Sequence, residues 1–167
     1  MKKFMTTLLL FALTLSLAAC SSGGQGDAPD QSQKEAPNLN QYYEDFMATL
    51  GEDNTPAMGD VEGDVVEQMY PGLGALETKQ RVLKTAMITS VAFEFALVEV
   101  SDAADVQTAA DIFQSRIDYQ IESGAFYPMT VESWEKAQII TQGNVVALIC
   151  AGTEQSKAAD AFNALFA

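Results

Sequence analysis

Glu94 has the strongest claim to chemistry in this sequence. It stands between Phe93 and Phe95 in VAFEFALVEV (residues 91–100), a run that is otherwise apolar on both faces over most of its length. In an extended chain it shares a face with Ala92, Ala96 and Val98. Burying an ionised carboxylate there is costly unless a cation and hydrogen bonds come with it, and a carboxyl perturbed in that way is suited to acid–base work. The plainer expectation is a carboxylate on a solvated stretch of the strand. The partner most available to Glu94 is Arg116, whose planar fork grips a carboxylate at two points. Arg116 either holds a carboxylate ligand or, as is commoner, makes a structural ion pair. A hydrolase would need a second carboxylate beside Glu94, and Glu99, Asp102 or Asp105 could supply one.

Other chemistries are excluded by composition. The sequence has no histidine, which removes Ser-His-Asp triads, Cys-His dyads and every His-ligated zinc, copper or non-haem iron site. Its two cysteines, Cys20 and Cys150, do not make a thiolate cage. Cys150 ends the apolar run Val145-Val146-Ala147-Leu148-Ile149 with no lysine nearby, and reads as an inert buried thiol. The acidic stretches Glu52-Asp53-Asn54 and Asp60-Val61-Glu62-Gly63-Asp64 lack the spacing of a calcium-binding EF-hand and read as solvated loops. Gly23-Gly24-Gln25-Gly26 follows no strand and is not a phosphate loop. No metal and no cofactor are expected. Tyr119, Phe126, Tyr127 and Trp134 flank Pro128; exposed they would form a docking patch for protein or peptide, and buried they would close the end of a sheet.

The charge narrows the partners. Nine basic residues face 23 acidic ones in 167, a net −14. Such a chain repels phosphate backbones and anionic head groups, so neither nucleic acid nor a polybasic membrane contact is expected. With 48% hydrophobic residues it can build the core of one domain, and its charge serves solubility or, less commonly, makes a surface for a cation or a basic partner.

The N-terminus reads as an export signal. Met1-Lys2-Lys3 precedes an apolar run from Phe4 to Ala19 of about 16 residues, short of the roughly 20 that span a bilayer. The run ends in Leu17-Ala18-Ala19-Cys20, which resembles the lipobox of bacterial lipoproteins. That resemblance implies a diacylglyceryl thioether on Cys20 and cleavage just before it, with Ala18 and Ala19 in a narrow protease pocket. It divides the chain into a signal (1–19), a lipidated cysteine with its tether (20–38) and one folded domain (39–167). Two acyl chains anchor a protein stably where one does not. The tether, SSGGQGDAPDQSQKEAPN, has no aliphatic residue larger than Ala; as a flexible coil it reaches on the order of 20–25 Å. Losing Lys2 and Lys3 with the signal leaves seven basic against 23 acidic residues, a net −16. Cys150 then has no intrachain disulfide partner.

The elements that must position these residues follow from periodicity and caps. Helices are expected over 41–50, capped by Asn40, and over 61–70, ended by Pro71-Gly72. Strands are expected over 82–89 and 91–100. A long helix over 103–122 follows, capped by Ser101 or Asp102, with Val106, Ala109, Ala110, Phe113, Ile117 and Ile121 in one stripe and Gly124 as its stop. Thr130 caps a turn carrying Trp134. Strands over 137–142 and 145–151 meet at Gly143-Asn144, a two-residue hairpin signal, and Thr153 caps a last helix over 154–166. Ala96-Leu97-Val98 followed by Ala109-Ala110-Asp111 is echoed by Ala147-Leu148-Ile149 followed by Ala158-Ala159-Asp160. The fold class is therefore α+β. The expected form is an antiparallel sheet of about four strands, in a possible ββαββα pseudo-repeat with helices on one face, preceded by one or two N-terminal helices.

Residues 69–166 also resemble a lipoprotein family known as domain of unknown function 4358, found mainly in clostridial and related Gram-positive bacteria. The resemblance is carried by Ala92-Phe93-Glu94-Phe95-Ala96, Val98-Glu99-Val100-Ser101-Asp102, Arg116, Tyr127-Pro128 and Gly143-Asn144-Val145-Val146. Val145 stands where the family commonly has an aromatic residue. The resemblance implies a lipid anchor on the extracytoplasmic face and this element order; it supplies no activity. The resulting expectation is a membrane-anchored, non-enzymatic module of the cell envelope. It would bind an envelope protein, peptide or cell-wall component, with Glu94, Arg116, Tyr127 and Trp134 as candidate ligand-binding residues. A carboxylate hydrolase or a small-ligand or cation binder is the alternative.

Overall fold

The structure is a computed structural model that describes residues 35–51 and 54–167. The expected signal, Cys20, the tether up to residue 34, and Glu52 and Asp53 lie outside the described residues.

The described chain runs α1 (Leu39–Leu50), β1 (Met58–Asp60), α2 (Asp64–Met69), β2 (Thr78–Ala86), β3 (Glu94–Val100), α3 (Val106–Tyr119), α4 (Pro128–Glu135), β4 (Gln138–Gln142), β5 (Val145–Cys150) and α5 (Gln155–Ala164). Short 3-10 turns precede α3 and α5, and a π turn, Gln120–Gly124, follows α3. The strands form one antiparallel sheet in the order β1-β2-β3-β5-β4. The α+β class is as expected. The fifth strand is β1, whose three residues are too few to carry a period in the sequence.

Caps differ from the expectation in detail. Asn38, rather than Asn40, caps α1, its side chain accepting from the Gln41 N–H at 3.0 Å. The reason is Leu39, which is fully buried and opens the apolar stripe one turn position earlier. Asn40 instead donates to Glu44 on the surface. Thr153 does not cap α5; the Gln155 side chain accepts from Ala151 N–H and donates to the Ile149 carbonyl, tying the helix to the end of β5. Gly143, at φ 57°, takes the left-handed conformation the β4–β5 hairpin needs.

Helices cover both faces of the sheet, which corrects the expectation of one. β3 and β5 are buried on every residue, and strands apolar on both sides require two covers. Ala96, Val98, Val100, Val146, Leu148 and Cys150 pack under α2, α3 and α4. Phe95, Leu97, Val145, Ala147 and Ile149 pack under α1 and α5. Tyr42 locks the second layer by donating its hydroxyl to the Ala158 carbonyl at 2.7 Å.

The pseudo-repeat has no counterpart in space. A rotation that carried β2–β3 onto β4–β5 in this strand order would keep the sheet face, yet α3 and α5 cover opposite faces. Leu97 and Leu148, which the repeat would equate, lie in different cores.

The strand directions give the domain two poles. At one, the first described residues meet β2 and β3: Gln80 accepts from Leu39 N–H, donates to the Pro37 carbonyl, and donates to Glu99. The other pole, about 30 Å away by the length of the nine-residue β2, gathers the β2–β3 loop, the end of α3, α4 and the end of β5.

Candidate functional site

Glu94 opens β3 on the face covered by α3 and is 1% exposed, so the solvated placement expected for it is corrected. Its two oxygens are fully engaged. Oε1 accepts from the Tyr70 hydroxyl at 2.7 Å and from Arg116 Nε at 2.9 Å. Oε2 accepts from an Arg116 terminal nitrogen at 2.7 Å and from Thr85 Oγ1 at 3.1 Å. Four donors fill the acceptor capacity of a carboxylate.

Each partner is delivered by a different element. Thr85 is the cross-strand neighbour of Glu94 on β2, and Cys150 its neighbour on β5. Arg116 projects from the last turn of α3, one helical step beyond the core residue Phe113. Tyr70 ends α2, in a turn fixed by Glu67, which accepts from the N–H groups of Gly72 and Gly74 at 3.0 and 2.9 Å. Gly72 needs its φ of 91° there. The guanidinium lies between two rings, 5.5 Å from the Trp134 centroid and 5.9 Å from that of Tyr70. Sequence reasoning paired Glu94 with Arg116 and missed Tyr70 and Thr85. For Tyr70 the only available signal was its helical spacing from Val66.

The cluster is dry and closed. Burial first, then the charge of Glu94 and the hydrogen bond to it, hold the Tyr70 hydroxyl well above its usual range. Burial lowers the proton affinity of Arg116, but the bond and charge of Glu94 outweigh this and leave it raised. Cys150 Sγ lies against the carbonyls of Ala92 and Ser133, and burial, with Glu94 adding to it, pushes its thiol from 9.0 to about 12. Groups whose proton affinity rises on folding stabilise the native state in their protonated forms; that contribution is complete below the unfolded value and is lost as pH climbs through the folded one. The melting temperature is therefore expected to fall as pH rises from about 9 towards about 12, and native Cys150 to resist iodoacetamide at pH 8. Alkylation at the rate of a free thiol would contradict this placement.

The carboxylates that a hydrolase would combine stand apart. Glu99 lies on the opposite face of β3, five residues from Glu94, and is held by Gln80 and Lys79. Asp102 and Asp105 lie beyond the far end of that strand, with Asp102 capping the turn before α3 through the Ala104 N–H. Asp60 pairs with Lys84. A shallow cleft of about 340 Å³ over β1 and β2 has Asp60, Glu62, Arg81 and Lys84 on its walls, and both cations are engaged, Lys84 by Asp60 and Arg81 by the carbonyls of Leu73 and Leu76. Among the described residues no three His, Cys, Asp or Glu side chains come together as a metal-binding group.

The four aromatics divide. Trp134 is 4% exposed and belongs to the ion-pair cluster. Tyr119, Phe126 and Tyr127 face out, joined by Met129; Phe126 and Met129 are 85% and 77% exposed. The segment is continuous: Tyr119 packs beside Gly124, and the Phe126 and Tyr127 rings meet edge-on, 5.3 Å between centroids. Met87 and Ile88, in the β2–β3 loop, are exposed at the same pole.

The sheet, the Glu94 cluster and this exposed segment coincide with a known family. Residues 51–151, more than half of the chain, match the domain of unknown function DUF4358. The chain belongs to the DUF4358 family. No curated protein and no solved structure matches it. The DUF4358 region contains all five strands and the helices α2, α3 and α4. α1 and α5, which cover the second face, lie outside it, as does Cys20.

Proposed function

We propose that the protein is an exported lipoprotein, held on the outer face of the cell membrane through Cys20, whose DUF4358 domain is a non-enzymatic binding module. Its docking surface is the pole formed by Tyr119, Phe126, Tyr127 and Met129. The signal and lipobox residues support the anchor. The observation that carries the docking reading is the distribution of exposed apolar side chains. Of the seven large hydrophobics exposed among the described residues, six lie at the pole opposite the chain's entry, and only Val65 does not. Clustered exposure of this kind marks interaction sites, whereas scattered apolar residues do not. Tyr127 supplies the amphipathic ring favoured at binding hot spots. Glu94, Arg116 and Trp134, by contrast, are consumed in holding three elements to the sheet.

Photo-crosslinking in intact cells tests this reading. A benzophenone side chain at position 126 is expected to give an adduct of discrete mass with an envelope component. The same group at Gln107, exposed at the entry pole, is expected to give none. Absence of an adduct from position 126, or equal labelling from both positions, would count against docking at this pole.

A further inference from the structure

The docking pole carries charge as well as apolar surface. The segment from Asp118 to Lys136 holds five charged residues, Asp118, Glu122, Glu132, Glu135 and Lys136, all exposed. The one cation is already paired with Glu132 at 2.7 Å. Elsewhere in the described domain Lys79, Lys84, Arg116 and Lys157 sit in ion pairs, and Arg81, which donates to the carbonyls of Leu73 and Leu76, lies towards the entry end of β2. The negative excess around Phe126 and Met129 is therefore uncompensated from within the domain.

Resting on the docking reading above, we infer that the partner presents a cationic apolar polypeptide segment, with Lys or Arg beside aromatic or aliphatic side chains. Three observations favour this occupant. Complementary charge speeds encounter and rejects like-charged partners, and here only a basic partner complements the rim. A membrane surface bearing anionic lipid is repelled by the same rim. The Phe126 and Tyr127 rings stand at 90° to one another, so together they make edges and a notch for side chains rather than a flat platform for stacking a sugar.

The test uses the full-length protein as cells make it, held in phosphatidylcholine nanodiscs, with empty discs as the blank. Three fluorescent peptides share leucine and tryptophan positions and differ in their spacer residues, which are lysine, serine or glutamate. The lysine peptide is expected to bind most tightly and to weaken as salt is added, since exposed charges are screened within about 8 Å at physiological ionic strength. Phe126→Ser with Met129→Ser leaves the net charge untouched and is expected to weaken the lysine peptide roughly tenfold or more. Asp118→Asn with Glu122→Gln is expected to weaken the lysine peptide and leave the serine peptide unchanged. Equal binding of the lysine and serine peptides, lost together in the Phe126/Met129 variant, would overturn the charge inference and leave docking at the pole standing. Lysine-peptide binding unaffected by that variant, or no binding of any peptide, would overturn both. Retention by phosphatidylglycerol vesicles that disappears with Phe126→Ser and Met129→Ser would replace the peptide with a membrane surface.

Discussion

Replacing Arg116 with methionine is expected to destabilise the domain by about 3–5 kcal/mol, a large part of the roughly 5–15 kcal/mol that holds an ordinary domain together. Glu94 is nearly inaccessible to water and would lose two of its four hydrogen bonds together with the cation that makes them. Methionine fills much of the space between Tyr70 and Trp134, so the loss would report the uncompensated carboxylate more than a cavity. Removing the charge pair as a whole is a different change. Glu94→Leu with Arg116→Met leaves the Tyr70 and Thr85 hydroxyls without their acceptor, at about 1–3 kcal/mol for each buried donor. Adding Tyr70→Phe removes the more deeply buried of those donors and is expected to recover most of the stability, because apolar replacements of buried ion pairs are often neutral or better. Urea denaturation of the three variants measures this, with an unchanged m-value as the sign that only stability has moved. If Arg116→Met costs less than about 1 kcal/mol, the pair does not tie α3 to the sheet.

Cys20→Ala is expected to have the largest effect on where the protein sits. In the proposed anchor this sulfur carries the diacylglyceryl group, and a single acyl chain gives only marginal, reversible attachment where two give a stable one. Charge would not replace the lipid, since a net −16 after loss of the proposed signal would be repelled by anionic head groups. Metabolic labelling with a fatty acid is expected to vanish in the variant, and the domain either leaves the membrane fraction or keeps its signal uncleaved. Persistent label on Cys20→Ala would place the lipid elsewhere.

The sequence made the centre of the fold legible and left its margins obscure. β3, α3 and the β4–β5 hairpin follow from long apolar periods and a Gly143-Asn144 turn, signals spread over many residues. β1 has three residues and carries no period, and β2, legible only from residue 82, opens with Thr78, Lys79, Gln80 and Arg81; pairing of β2 with β3 and of β1 with β2, not local pattern, makes these segments strands. The two-sided cover was implicit in runs apolar on both faces, but which helix takes which face depends on chain crossings that composition does not encode. At the candidate site, a lone acid in an apolar strand and an arginine on the following helix were visible as a possible pair. Their closure was not, because it depends on Tyr70, brought in from a separate turn by the backbone contacts of Glu67. Trp134 and Tyr127 read alike in sequence, and the start of α4 at Pro128 turns one inward and leaves the other at the surface.

The intact mass of the protein extracted from its own membranes tests the proposed anchoring of this acidic domain most directly. The expected species begins at Cys20 and carries a diacylglyceryl group on that residue. A terminus at any other residue, or an unmodified Cys20, would contradict it.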